Sequence, residues 1–460
     1  MLLAAITVYI ALTLGVGAYT ARFVKRSKDF VLAGRQLPVF LSSAALFATW
    51  FGSETIFGAS SEYLEHGLQG VIEDPFGGAL CLILFGLFYL RPMYKMDVLT
   101  IGAVYKKLFG PRIELLASLF MIPAYFGYVA AQLVAMALIF SSITDFTLAE
   151  GVLIGAVIVV VYTYMGGMWA ISITDFIQTS LIIIGLAWVA YTVAADAGGV
   201  GVILDSAPEG SFQVLPDSNP VSWLNYLGAW MILGLGSIPS QDIYQRVMSS
   251  KSERVAFQST LIAGSMYLTL GLLPLFIALG AKYLYPELYL EDKQFLLPSM
   301  VLNHSSLFVQ ILFFGALLSA IMSTTSSGLL APAAVIGENI IRPIWGKNWS
   351  DRRFLWALRL SIVGVAIVAI ALALYKANIY ELVADASILL LVSLFVPLTA
   401  GLYWKGARER GAYWSIIGGM IAYLILLQVP LPIYAHIPAL GVSILGMLIG
   451  SWTAPKQTES

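Results

Sequence analysis

Leu318-Ser319-Ala320-Ile321-Met322-Ser323-Thr324-Thr325-Ser326-Ser327 puts six hydroxyl side chains into the nine residues from Ser319 to Ser327, inside a segment, Phe313 to Leu330, that is otherwise apolar. Read as a helix, Ala320, Ser323 and Thr324 fall at i, i+3 and i+4, so one main-chain carbonyl and two hydroxyls share a face. Oxygen donors of this kind suit a small hard cation, and sodium is the expected ion.

The surroundings place that cluster in a membrane. The 460 residues are 59% hydrophobic and 11% charged, too little charge to cover an aqueous domain of this size. Apolar runs of roughly 20 residues recur, the length that crosses about 30 Å of hydrocarbon. The expected class is an all-α polytopic membrane protein of about thirteen spans. They begin near Met1, Phe40, Gly70, Ile113, Leu148, Ala170, Trp223, Ala256, Ser306, Phe354, Ile379, Ala412 and Pro432. The lone cysteine, Cys81, lies in an apolar run, which excludes an internal disulfide and reads as a small buried hydrophobe. The first run, Met1 to Thr20, has no Lys or Arg ahead of its core, so a retained helix is expected rather than a signal peptide.

Charge orients the spans. With the N-terminus outside, only Lys282, Lys293 and Lys376 of the 25 Lys and Arg fall on the outer side, and the rest, Arg246 and Lys456 included, fall inside. The positive-inside rule favours that orientation. It gives a multi-pass protein of the plasma (inner) membrane with an external N-terminus and a cytoplasmic C-terminus. Asp196 to Ser222, acidic and rich in Pro, Gly and Ser, reads as an outer loop, and Ala281 to His304 as a cap over the entrance.

Two spans carry helix breakers and polar groups at membrane depth: Thr49-Trp50-Phe51-Gly52-Ser53-Glu54 in the second, and Gly234 to Asp242, with Ser237-Ile238-Pro239-Ser240-Gln241 between, in the seventh. Free backbone groups are tolerated at that depth only where they line a cavity. Counted from the second span, the breaks lie in the first and sixth helices of a ten-helix set, the pattern of two inverted five-helix repeats. Glu54, Glu73, Asp74, Asp175 and Asp242 add carboxylates within or beside the spans, where such groups are costly and mark function.

At these residues the chain resembles the sodium/solute symporter family, which has a LeuT-type inverted-repeat core. Four motifs carry the likeness: Asp29-Phe30-Val31-Leu32-Ala33-Gly34-Arg35; Gly166-Gly167-Met168-Trp169-Ala170 running on to Thr174, Asp175 and Gln178; Gln241 to Gln245-Arg246 with Ser249, Ser250 and Lys251; and Leu318 to Thr324. The resemblance implies a 5+5 inverted-repeat transport core over residues 38–404, preceded by an extra helix over 1–22. Two C-terminal helices over 411–453 and a cytoplasmic tail over 454–460 follow. It also implies a sodium site made by Ala48 and Phe51 of the first core helix with Ala320, Ser323 and Thr324 of the eighth, and a further sodium or a release path at Asp175. Within the family, Ala48-Thr49-Trp50 and Gly236-Ser237-Ile238-Pro239 are most similar to the choline-transporter branch. Trp50 matches one wall of its aromatic cage, while Ser240 and Gly78 stand where aromatic partners are expected.

The expected function is sodium-coupled symport of a small organic solute by alternating access, within the lipid bilayer and without nucleic acid as a partner. Trp50, Ser53, Glu54, Thr55, Asp74, Gln241 and Asp242 are the expected solute contacts. Their acidity and single aromatic face favour an amine, a zwitterion or an amino-acid- or betaine-like solute. A sugar, polyol or monocarboxylate carrier, or a proton-coupled one, is the alternative. No enzyme is expected: His66, His304 and His436 fall in or near predicted loops and show no metal-ligand spacing.

Overall fold

The computed structural model describes residues 1–291, 293, 295–375 and 379–454. Lys376, Lys456 and all of the expected tail but Ala454 lie outside them. The described residues are all-α, with one isolated bridge between Leu37 and Ser250.

Helix α1 spans Leu2–Thr20, α2 Val39–Phe47, α3 Ala59–His66 and α4 Gly78–Leu84; α5 (Ile101–Phe109) is a short helix before α6 (Pro111–Ile143). Then come α7 (Leu148–Asp196), α8 (Pro220–Gly236), α9 (Gln241–Ser249), α10 (Glu253–Leu270), α11 (Leu272–Leu284), α12 (Leu296–His304) and α13 (Leu307–Val335). The chain closes with α14 (Asp351–Tyr375), α15 (Ile379–Leu390), α16 (Val396–Tyr403), α17 (Glu409–Leu426) and α18 (His436–Trp452).

Local signals set several of these starts. Pro111 and Pro220 stand at the first position of α6 and α8, where a missing N–H costs nothing. Asn219 accepts from the Val221 N–H at 2.9 Å, and Thr147 and Glu150 close a reciprocal capping box at the head of α7.

The polarity is that of a protein dissolved in lipid. Val8, Leu119, Val157, Ile184, Leu360 and Ile367 are exposed, whereas the hydroxyl-rich stretch of α13 is buried throughout. Helix α13 is wrapped by α1, α6, α7 and α14, and α2 lies against α7 and α10.

Among the described residues, eight helices are long and apolar enough to cross a membrane, or nine if the pair α8 and α9, bent by 48°, counts as one span. The expected thirteen differ because breaks divide some spans and kinks fuse others. The second expected span breaks after α2, which is too short alone, and its remainder, α3, runs on with the third as one apolar stretch, Glu54–Tyr94. The fifth and sixth form one 49-residue element kinked at Gly167, whose φ of 52° suits glycine. A Cβ there would also lie 2.6 Å from the Phe30 carbonyl.

One sequence reading changes. Arg246 is not a loop cation: it is on α9, 2% exposed, and bonded to Asp175. His436 stands at the head of α18, next to a loop, and is buried there with its Nε2 3.1 Å from the Gly228 carbonyl.

Candidate functional site

Both expected breaks are real unwound turns. Helix α2 stops at Phe47, Ala48 caps it, and regular helix resumes only after the Glu54–Gly58 turn. Between α8 and α9 the chain leaves the helix at Ser237 to Ser240. Gly52 is needed in the first turn because a Cβ there would meet Gln132 Oε1, Glu54 Oε2 and Thr324 Oγ1, each at 2.8 Å.

The hydroxyls of α13 divide by task. Thr325, Ser326 and Ser327 bond back to carbonyls of their own helix, at Ile321 and Ser323, the common use of a hydroxyl in a membrane helix. Ser319 donates to Tyr9 of α1 at 2.8 Å. Ser323 and Thr324 instead reach across to the Ala48 carbonyl, at 3.0 and 3.4 Å. Ser323 Oγ also lies 2.5 Å from Asp175 Oδ1. Arg246 completes the group, 3.3 Å from Asp175 Oδ2 and in contact with Ser327 Oγ. Ala48, Ser323, Thr324 and Asp175 are thus brought together, and Phe51 and Ala320 are fully buried on the same two segments.

On the far side of the first turn, Trp50 Nε1 donates to Asp242 Oδ2 at 3.0 Å and Tyr125 donates to Oδ1 at 3.0 Å. The Tyr125 oxygen accepts from the main-chain N–H groups of Gln241 and Asp242, at 2.8 and 3.1 Å, so it caps the first turn of α9. Tyr128 donates to the Thr49 carbonyl at 2.7 Å. Trp50, Tyr125, Tyr128 and Asp242, with Ser237, Ser240 and Ser387, line a cavity of about 30 Å³. Sites for small organic ligands are roughly 300–1,000 Å³, so a solute fits only after the walls part.

The other expected contacts are not walls of that cavity. The Gln241 side chain accepts from the Ile101 N–H at 2.8 Å, at the head of α5. Ser53 and Glu54 meet Gln132, through Ser53 N at 3.1 Å and Glu54 Oε2 at 2.7 Å. Thr55 and Asp74 meet Tyr267, at 2.8 and 2.6 Å. The sequence reading missed Tyr125, Tyr128 and Gln132, which sit on one face of α6 at i, i+3 and i+7. Their polarity in so apolar a helix was the available signal. Tyr267 gave none, because a tyrosine in a membrane helix is unremarkable until its neighbours are known.

Residues 30–419 match the profile of the Sodium:solute symporter family. The chain belongs to that family. The symporter is 29% identical over 444 residues to the high affinity choline transporter 1 of Homo sapiens, covering 91% of this chain and 75% of the human one. It is 24% identical to the osmoregulated proline transporter of Bacillus subtilis (strain 168), over 98% and 95% of the two chains. Its fold matches that of a Na+-coupled sialic acid symporter solved substrate-bound and outward-open, with a TM-score of 0.86 at 20% identity over 99% of both chains. The symporter is therefore a multi-pass membrane protein with the LeuT-type fold, a sodium-coupled carrier of a small organic solute and not an enzyme.

Proposed function

We propose that the solute is a small organic cation or zwitterion, an amine, betaine or amino acid, moved inward with sodium by alternating access. One observation carries this reading: Asp242 presents a buried carboxylate beside three aromatic rings, Trp50, Tyr125 and Tyr128, in a cavity with no Lys or Arg on its walls. A carboxylate and ring faces together attract an ammonium group. The tyrosines of α6 supply aromatic surface where Ser240 and Gly78 do not. Similarity to choline transporters agrees with a cationic head group.

The charge inventory agrees too. Glu54, Asp74, Asp175 and Asp242 are buried in this region, and Arg246 is the one buried Lys or Arg among the described residues. Mobile cations, the ion and the solute, restore the balance as they bind.

Sodium binds between the Ala48 and Phe51 carbonyls and the Ala320 carbonyl with the Ser323 and Thr324 hydroxyls, and Asp175 borders its release path. Ala48 and Trp50 share one unwound turn, so sodium at the first orders the ring of the second and the two occupancies are coupled. An inward gradient supplies the work, roughly 2.3 kcal/mol per charge for each 100 mV before the concentration term. The transport core covers 38–404, with an extra helix over 1–22, two more over 411–453 and a cytoplasmic tail over 454–460, about thirteen spans in all. The N-terminus faces outward from the plasma (inner) membrane.

A thermal-shift screen of the purified protein with amines, betaines, amino acids, sugars and monocarboxylates, in sodium and in potassium, tests the reading. An amine or betaine that stabilises in sodium alone is expected. Stabilisation by a sugar or a monocarboxylate alone overturns the solute class, and equal stabilisation in potassium overturns the coupling.

A further inference from the structure

A second group of oxygens lies behind Trp50, used neither by the Ala48 cluster nor by the cavity. The Tyr267 hydroxyl on α10 stands 2.6 Å from Asp74 Oδ1, 2.8 Å from Thr55 Oγ1 and 3.0 Å from the Trp50 carbonyl. Thr55 Oγ1 is itself 3.3 Å from that carbonyl. Four close oxygen pairs therefore share two hydroxyl protons, so at least two of the pairs have no hydrogen bond to hold them.

Each acid beside this group keeps one oxygen without a partner. Asp74 is 2% exposed and its Oδ2 makes no hydrogen bond; Glu54, the residue before Thr55, is 1% exposed and its Oε1 makes none. Among the described residues neither carboxylate forms an ion pair, and Arg246 is committed to Asp175. A carboxylate at this depth without a counter-charge is costly and is found where something binds.

We propose that the Asp74 carboxylate, Thr55 Oγ1, the Tyr267 hydroxyl and the Trp50 carbonyl form a second monovalent-cation site, distinct from the one at Ala48, Ser323 and Thr324. Its ligand is sodium or a proton. One carboxylate with three neutral oxygens matches one positive charge, and Glu54 adds negative potential beside it. The Trp50 carbonyl belongs to the turn that also carries Ala48, so a cation here stiffens the same backbone from its other face. The titratable groups around the site are Glu54 and Glu73 near Asp74, Tyr267 on α10, Tyr128 on α6 and Asp242 beyond the Trp50 ring.

The test counts bound sodium-22 per chain on the purified full-length protein at alkaline pH, without solute. D74N and T55V are each expected to bind one sodium fewer than the unaltered protein. Counted at the sodium concentration that just fills the unaltered protein, S323A, which weakens the other cluster, should lose occupancy of a different one, so that D74N with S323A falls short at both. If D74N and T55V keep the full sodium count, the proton is the ligand. Uptake at saturating sodium must then depend on pH in the unaltered protein, and D74N must flatten that dependence. Both variants matching the unaltered protein in sodium count and pH profile overturns the site. S323A losing its sodium in that same experiment would leave the Ala48 cluster standing.

Discussion

Two oxygen clusters flank one unwound turn, and they balance charge differently. On the Ala48 side, Asp175 has a guanidinium 3.3 Å away and Ser323 at 2.5 Å, so its charge is met by the protein itself. On the Trp50 side, Asp74 and Glu54 are as deeply buried and have only hydroxyl, amide and carbonyl neighbours. The first arrangement is locked by a fixed cation. The second needs a mobile one, and a group that needs a mobile charge responds to what is dissolved outside. A membrane interior can hold carboxylates either way, but only the second way leaves the carboxylate's own charge to be met by an ion from solution.

Removing the fixed cation makes the two clusters alike, and this is the largest effect expected. R246Q leaves Asp175 buried without its partner, a loss of about 3–5 kcal/mol by analogy with other broken buried pairs. The melting temperature in potassium should fall steeply, and sodium should restore part of it. A variant as stable as the unaltered protein in potassium would mean that Arg246 does not hold the Asp175 charge.

The cavity beside the Trp50 ring comes next. D242N removes the charge to which Trp50 and Tyr125 both donate; charged hydrogen bonds are worth about 1.5–3 kcal/mol. Half-saturating solute should rise by roughly 10- to 150-fold with the sodium dependence little changed. Equal losses in both would place Asp242 in ion binding instead. S323A is milder. One hydroxyl of several leaves the Ala48 cluster, and half-saturating sodium should rise roughly tenfold, or about 1.4 kcal/mol. Unchanged sodium dependence would remove Ser323 from the ion's path.

The sequence reveals these regions unequally, and the reason is physical. Helix breakers are local, so the turns at Thr49 to Glu54 and Gly234 to Asp242 were legible, as was the hydroxyl face of α13, which follows from a fixed helical period. Partnerships across the fold were not. That Ser323 and Thr324 bond Ala48 while Thr325 bonds its own helix depends on which neighbour stands opposite. Arg246 looked like a loop cation because charge patterning takes an arginine near a span end to be solvated. Glu54 and Asp74 are expected solute contacts from sequence because depth is legible there and direction is not. Gly78 and Ser240 drew attention to missing aromatics, and the rings came from α6 instead.

The smallest effect concerns the first helix, which belongs to neither cluster. Helix α1 is largely exposed to lipid, yet Tyr9 turns inward, accepting from Ser319 Oγ at 2.8 Å and from Gln178 Nε2 at 3.2 Å. Ser319 lies one turn before Ser323 on α13, and Gln178 one turn after Asp175 on α7. The tyrosine therefore ties together the two helices that carry the guanidinium-balanced cluster and touches nothing of the other. Y9F removes a hydrogen-bonding group worth about 1 kcal/mol, so half-saturating sodium should shift by no more than about fivefold, with the maximal rate preserved. The comparison sharpens if sodium bound at Ser323 weakens in Y9F while the sodium or pH response that depends on Asp74 stays as it was. If both responses move together, α1 acts on the whole unwound turn; if neither moves and only the melting temperature falls, Tyr9 serves packing alone.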